Sequence, residues 1–109
     1  MRYSFALLIL FVAAVLEAGG DALVRAGLHG STAGTRAAFM LAGAAVLFFY
    51  GYTVNTPPWD FGRLLGVYVA LFFLVAQAIS WIAFSQKPTR AILIGGAFIV
   101  IGGCIVSRG

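Results

Sequence analysis

Apolar residues run along this chain in four long blocks, at about 4–24, 36–55, 63–85 and 90–107, separated by three short breaks. Crossing a bilayer takes roughly 20 mostly apolar residues in a helix, and each block is close to that length once tilt is allowed. Inside lipid a backbone must satisfy its own hydrogen bonds, so blocks of this kind are helices. The breaks hold residues that end helices and open turns: Gly27 to Thr32, then Pro57-Pro58-Trp59-Asp60, then Lys87-Pro88-Thr89-Arg90. Links this brief are expected to leave consecutive helices as antiparallel neighbours, with no room for a domain outside the membrane. The pattern predicts an all-α membrane protein, a single domain of four transmembrane helices over residues 1–109 with short loops.

One residue breaks the first block. Glu17 follows an uncharged run from Tyr3 to Leu16, with Asp21 and Arg25 after it at helical spacing. An ionisable side chain near the centre of a span costs about 2.5–3.5 kcal/mol on insertion scales, which makes it a functional candidate by default. Residues four apart share a helix face, so Glu17, Asp21 and Arg25 form one stripe that must face a bundle interior or a wet cavity. Gly19 and Gly20 between them permit close approach of a backbone or a ligand. Asp21 and Arg25 have the spacing of an (i, i+4) ion pair. Glu17 has no such cation, because Arg25 lies two turns away, about 12 Å along the axis. A carboxylate in low dielectric is neutralised by a proton or by a cation. A group that holds one or the other, never both, is the minimum machinery of proton-coupled exchange.

The third block adds Tyr68, Gln77, Ser80 and Trp81, the last three at i, i+3 and i+4 on one side. Gln77 and Ser80 suit either helix–helix hydrogen bonding or a cavity wall. Trp81 and Phe84 lie near the end of the span, where aromatic belts occur. Tyr68 lies deeper, and an aromatic face beside a carboxylate suits an organic cation. The fourth block carries Gly95-Gly96 and Gly102-Gly103, two pairs seven residues apart, a smooth groove for helix packing and a candidate dimer interface.

Composition narrows the classes. Of 109 residues, 62% are hydrophobic and 9% charged, more apolar surface than a soluble domain of this size can bury. The first block is too long for a signal-peptide core. A formal charge of +4 does not indicate nucleic acid, because the basic residues sit at segment ends. Arg2, Arg63 and Arg108 fall on one side of the membrane, and Arg25, Arg36, Lys87 and Arg90 on the other. A balance of three against four gives almost no positive-inside bias and points to insertion in both orientations or to a partner that sets the orientation. Cys104 is the single cysteine, read as a small packing residue, so no intrachain disulfide is expected. His29 stands alone in the first loop. No catalytic triad, phosphate-cradling loop or metal-ligand cluster appears, so neither an enzyme nor a cofactor or metal is expected.

Glu17 with Gly20, a basic residue eight positions after the acid, and Ser80-Trp81-Ile82-Ala83-Phe84-Ser85-Gln86 followed by Ile94-Gly95 and Gly102 resemble the small multidrug resistance family of the drug/metabolite transporter superfamily. The resemblance covers essentially the whole chain. Gly66-Val67-Tyr68-Val69 also resembles a sister group of small four-helix membrane proteins. The resemblance implies an antiparallel homodimer in a bacterial inner membrane, inserted in both orientations and joined through the fourth helix. It also implies proton-coupled export of small organic cations by alternating access. Glu17 would be the shared proton and substrate site, Gly20 would allow close approach, and Tyr68 would stand where the family usually has a pocket Trp. Asp21 departs from the neutral residue usual at its position, Phe39 from a pocket Tyr, and Arg25 from Lys. Two readings compete with homodimeric export. One is an accessory or assembly subunit whose acidic stripe meets basic groups on another chain, or half of a heterodimeric transporter. The other is a lipid or metabolite carrier with Phe39, Phe48, Phe49, Phe72 and Phe73 along an apolar path.

Overall fold

A computed structural model describes residues 2–109 and contains four helices: α1 (Tyr3–Leu28), α2 (Ala33–Val54), α3 (Phe61–Phe84) and α4 (Arg90–Arg108). Each is long and apolar enough to span a membrane. α1 runs on past Val24, through Arg25 and Gly27. Gly27 is buried inside the helix, where a methyl group would come within 3.2 Å of the Arg36 carbonyl on α2. It is therefore a packing residue and not part of the turn. The break falls at His29–Thr32, where the His29 N–H still donates to the Arg25 carbonyl at 3.3 Å.

Local chemistry sets the other ends. The Thr32 hydroxyl accepts from the Thr35 N–H at 3.1 Å, and the Thr89 hydroxyl from the Ile92 N–H at 3.2 Å. Each satisfies a donor that the first turn of its helix leaves free. α3 ends at Ser85 in the left-handed region (φ 55°), and the Gln86 N–H returns to the Ser80 carbonyl at 3.0 Å. That bond closes the helix end around a left-handed residue as a Schellman motif does, one residue wider and without glycine.

The packing order differs from the chain order. α1 packs on α2 and on α3, and α3 on α4, so the helices run α2–α1–α3–α4 across the molecule. α2 and α3 follow each other in sequence but are separated by α1, contrary to the nearest-neighbour expectation. The proline-containing link Asn55–Asp60 explains it. Six extended residues reach about 20 Å, enough to pass two interhelical spacings of 8–10 Å. Trp59 in that link stacks on Tyr3 at the start of α1, ring centroids 5.5 Å apart.

The result is a flattened body of 48 × 34 × 18 Å, not a closed bundle. Its small core gathers Leu10, Ala13, Ala14, Val54, Leu64, Val67 and Tyr68 around the middle of α1. Large apolar side chains such as Phe48 (73% exposed), Ile82 and Phe98 point outward, as lipid-facing surface does. Phe39 and Phe49 are also exposed, while Phe72 stacks on Tyr68 and Phe73 packs toward Gly96. The five phenylalanines do not converge on one apolar path. Cys104 is exposed on α4, not packed inside.

Candidate functional site

Glu17 sits half-buried on α1, where α2 and α3 close in on it. From α3, the Tyr68 hydroxyl donates to Glu17 Oε1 at 2.7 Å and lies 3.4 Å from the Ala13 carbonyl one turn earlier. The Tyr68 side chain is 4% exposed. Its ring is held between Tyr50 of α2 (centroids 5.7 Å apart) and Phe72 of α3 (6.0 Å). Aromatic pairs at these separations add specific geometry to apolar burial. Three helices thus fix the hydroxyl that meets the acid, and the second carboxylate oxygen of Glu17 has no hydrogen-bond donor among the described residues. Tyr50 was not singled out from sequence. A tyrosine late in an apolar block is also what an interfacial belt looks like, and only packing separates the two.

Asp21 occupies a different place, one turn along α1. It lines a crevice of about 190 Å³ between α1 and α3 together with Arg25, Phe72, Ser80, Phe84 and Gln86. The expected Asp21–Arg25 ion pair is not formed. The Arg25 guanidinium instead lies over the Phe84 ring, 5.4 Å from its centroid. An exposed (i, i+4) pair is worth only about 0.3–0.5 kcal/mol, so an aromatic face within reach competes on equal terms. The Ser80 hydroxyl donates to Gln86 Oε1 at 3.2 Å across the crevice wall.

The structure does not bring the remaining candidates to Glu17. Gln77 lines a separate, almost wholly apolar groove of about 430 Å³ between α3 and α4, beside Phe73, Pro88 and Gly96. Trp81 is 53% exposed at the end of α3, with Lys87 Nζ 5.8 Å from its ring centroid. The shared face of Gln77, Ser80 and Trp81 therefore divides among three environments, because neighbouring helices cover it at different depths. Gly20 lies in the α1–α2 seam, where a methyl group would lie 2.7 Å from the Leu47 side chain. Opposite it, a methyl group at Gly43 would lie 3.1 Å from the Gly20 carbonyl.

The glycine pairs of α4 also split. Gly96 and Gly103 are buried against α3, where a methyl group would come to 2.5 Å from Phe73 and from Ala70 respectively. Gly95 and Gly102 meet nothing within 4 Å and lie on the open side. Only that half of the groove is left for another chain. Arg63 proves structural: its Nη2 donates to the Ser107 carbonyl at 2.8 Å near the end of α4, and its guanidinium stacks 4.8 Å from the Trp59 ring centroid. No three of His, Cys, Asp and Glu lie close enough to hold a metal ion among the described residues.

Residues 4–109 match the family model described as "Uncharacterised BCR, YnfA/UPF0060 family". The chain belongs to the YnfA/UPF0060 family. The match bears out the resemblance to a group of small four-helix membrane proteins, and the family it names is UPF0060 and not the small multidrug resistance family. A UPF0060 membrane protein from Herpetosiphon aurantiacus is 30% identical over 70 residues, 62% of this chain and 64% of that relative. The matched region thus spans just under two thirds of the relative's length. No solved structure matches the chain. Membership of UPF0060 and four spanning helices make this an integral membrane protein.

Proposed function

We propose that this UPF0060 protein exchanges protons for small organic cations across the membrane, with Glu17 as the shared site. The observation that carries the reading is the 2.7 Å bond from Tyr68 to Glu17 inside a membrane span. One oxygen of the acid is held by a fixed donor while the other has no donor among the described residues, and it is the atom that would take the proton or the cation. The rings of Tyr50 and Phe72, on either side of Tyr68, are of the kind whose faces attract cations. Transport, not catalysis, is what such a site performs.

The flattened monomer supports a dimer, because a body 18 Å thick cannot enclose the acid on every side. A second copy inserted in the opposite orientation fits the three-to-four balance of basic residues and the uncovered Gly95 and Gly102 on α4. The test is proton release from detergent-solubilised protein on addition of a panel of quaternary ammonium and guanidinium cations. Wild type should release protons, and Glu17→Gln, folded and dimeric, should not. Equal release from the variant would refute the assignment of Glu17.

A second reading is an assembly subunit whose acidic stripe meets a basic group on another chain. It is favoured by Asp21, which lacks a cation of its own. Under that reading no cation in the panel would displace protons, and the protein would co-purify with a basic membrane partner.

A further inference from the structure

Asp21 is the second acid of α1, and the exchange site at Glu17 makes no use of it. Four residues on, it stands about 6 Å farther along the helix axis, toward the first loop. Its carboxylate has no hydrogen-bond donor among the described residues, and Arg25, the nearest cation in sequence, is drawn aside onto Phe84. We propose that the Asp21 crevice is a second, outer cation subsite, which takes a small cation bearing N–H donors, such as a guanidinium or a primary ammonium, and passes it to Glu17. This deepens the exchange reading above and rests on it.

Four features of the crevice define its ligand. Its volume of about 190 Å³ is room for a compact head group. Its acceptors, the Asp21 carboxylate with the Ser80 and Gln86 side chains, call for N–H donors and not for a fully methylated nitrogen. Its rings, Phe72 and Phe84, offer the faces on which a planar cation stacks.

The fourth feature is position. Phe72 lines the crevice and also stacks on Tyr68, which in turn bonds Glu17. Phe72 is thus the side chain that the outer crevice shares with the surroundings of Glu17. Arg25 completes the arrangement as a built-in competitor. At (i, i+4) it is within reach of Asp21, so swinging back from Phe84 returns a cation to the carboxylate. The outer site therefore loads weakly and does not trap its ligand.

The competitor role gives the test its sign. Calorimetric titration of methylguanidinium into the full-length, detergent-solubilised Glu17→Gln variant isolates the outer site. Weak saturable binding is expected there. Adding Asp21→Asn should weaken it by about tenfold or more, the scale of a lost charge-assisted bond. Adding Arg25→Gln should tighten it several-fold, because a competing charge is gone.

Absence of saturable binding in Glu17→Gln, or affinities unchanged by both substitutions, would overturn the proposal. If Asp21→Asn does not fold, Arg25→Gln decides alone: tighter binding supports the subsite, and equal or weaker binding overturns it. Failure of the exchange reading has a different signature, namely wild-type proton release by the Glu17→Gln chain, and is read independently of Asp21-dependent binding.

Discussion

Replacing Tyr68 by Phe removes one oxygen atom and leaves nearly everything else in place. The ring keeps its contacts with Tyr50 and Phe72, and the Ala13 carbonyl loses only a long 3.4 Å contact. What is lost is the 2.7 Å bond to Glu17 Oε1, made by a side chain only 4% exposed. A hydrogen bond to a charged acceptor is worth about 1.5–3 kcal/mol and one to a neutral acceptor about 0.5–1.5 kcal/mol. The difference, about 1–1.5 kcal/mol, is the extra strength of such a bond when its acceptor carries charge. Under the proposed exchange, a cation enters by displacing the proton, so that difference carries into the exchange equilibrium. At 1.4 kcal/mol per tenfold, the cation concentration giving half-maximal proton release should rise about tenfold in Tyr68→Phe.

The assay is proton release against cation concentration at fixed pH, with gel filtration and far-ultraviolet circular dichroism confirming the fold. A half-maximal concentration within about twofold of wild type, in a folded variant, would refute the claim that this hydroxyl poises the acid. So would an equal effect of Tyr68→Phe on any residual binding in the Glu17→Gln background, where the carboxylate that Tyr68 meets is gone.

Three further predictions concern the scaffold. A methyl group at Gly43 would meet Val24 Cγ2 at 2.7 Å and backbone atoms of Gly20 and Val24 at 3.1 Å, and backbone cannot rotate away. Gly43→Ala should therefore destabilise the α1–α2 seam by about 1–3 kcal/mol in detergent unfolding, the usual range for overpacking. Gly95→Ala and Gly102→Ala meet nothing within 4 Å and should leave monomer stability within about 0.5 kcal/mol while weakening dimer formation in analytical ultracentrifugation. Arg63→Gln should loosen the end of α4 by removing the bond to Ser107 and the stacking on Trp59, about 1–2 kcal/mol together. Faster amide exchange at the C-terminal turn of α4, with cation-driven proton release unchanged, is the expected readout.

The hydrophobic pattern alone was enough for the four helices, their approximate ends and their membrane setting. Bilayer solvent allows a long apolar run almost no other form. It also singled out Glu17 as a candidate, because a charge in the middle of such a run is costly wherever the helix packs. The same periodicity placed Tyr68 deep in its span. Which helices touch was not legible, because the link Asn55–Asp60 suits a turn between neighbours and a passage over α1 equally well. Packing chose the passage, and with it set Tyr68 and Tyr50 around Glu17 while drawing Gln77 to the α3–α4 groove and Trp81 to the edge. Glycines looked alike in sequence. Only the approach of Leu47, Phe73 and Ala70 separates Gly20, Gly96 and Gly103, which let helices close on one another, from Gly95 and Gly102, which face outward. Spacing says which residues share one helix face. The order of the helices decides what that face meets.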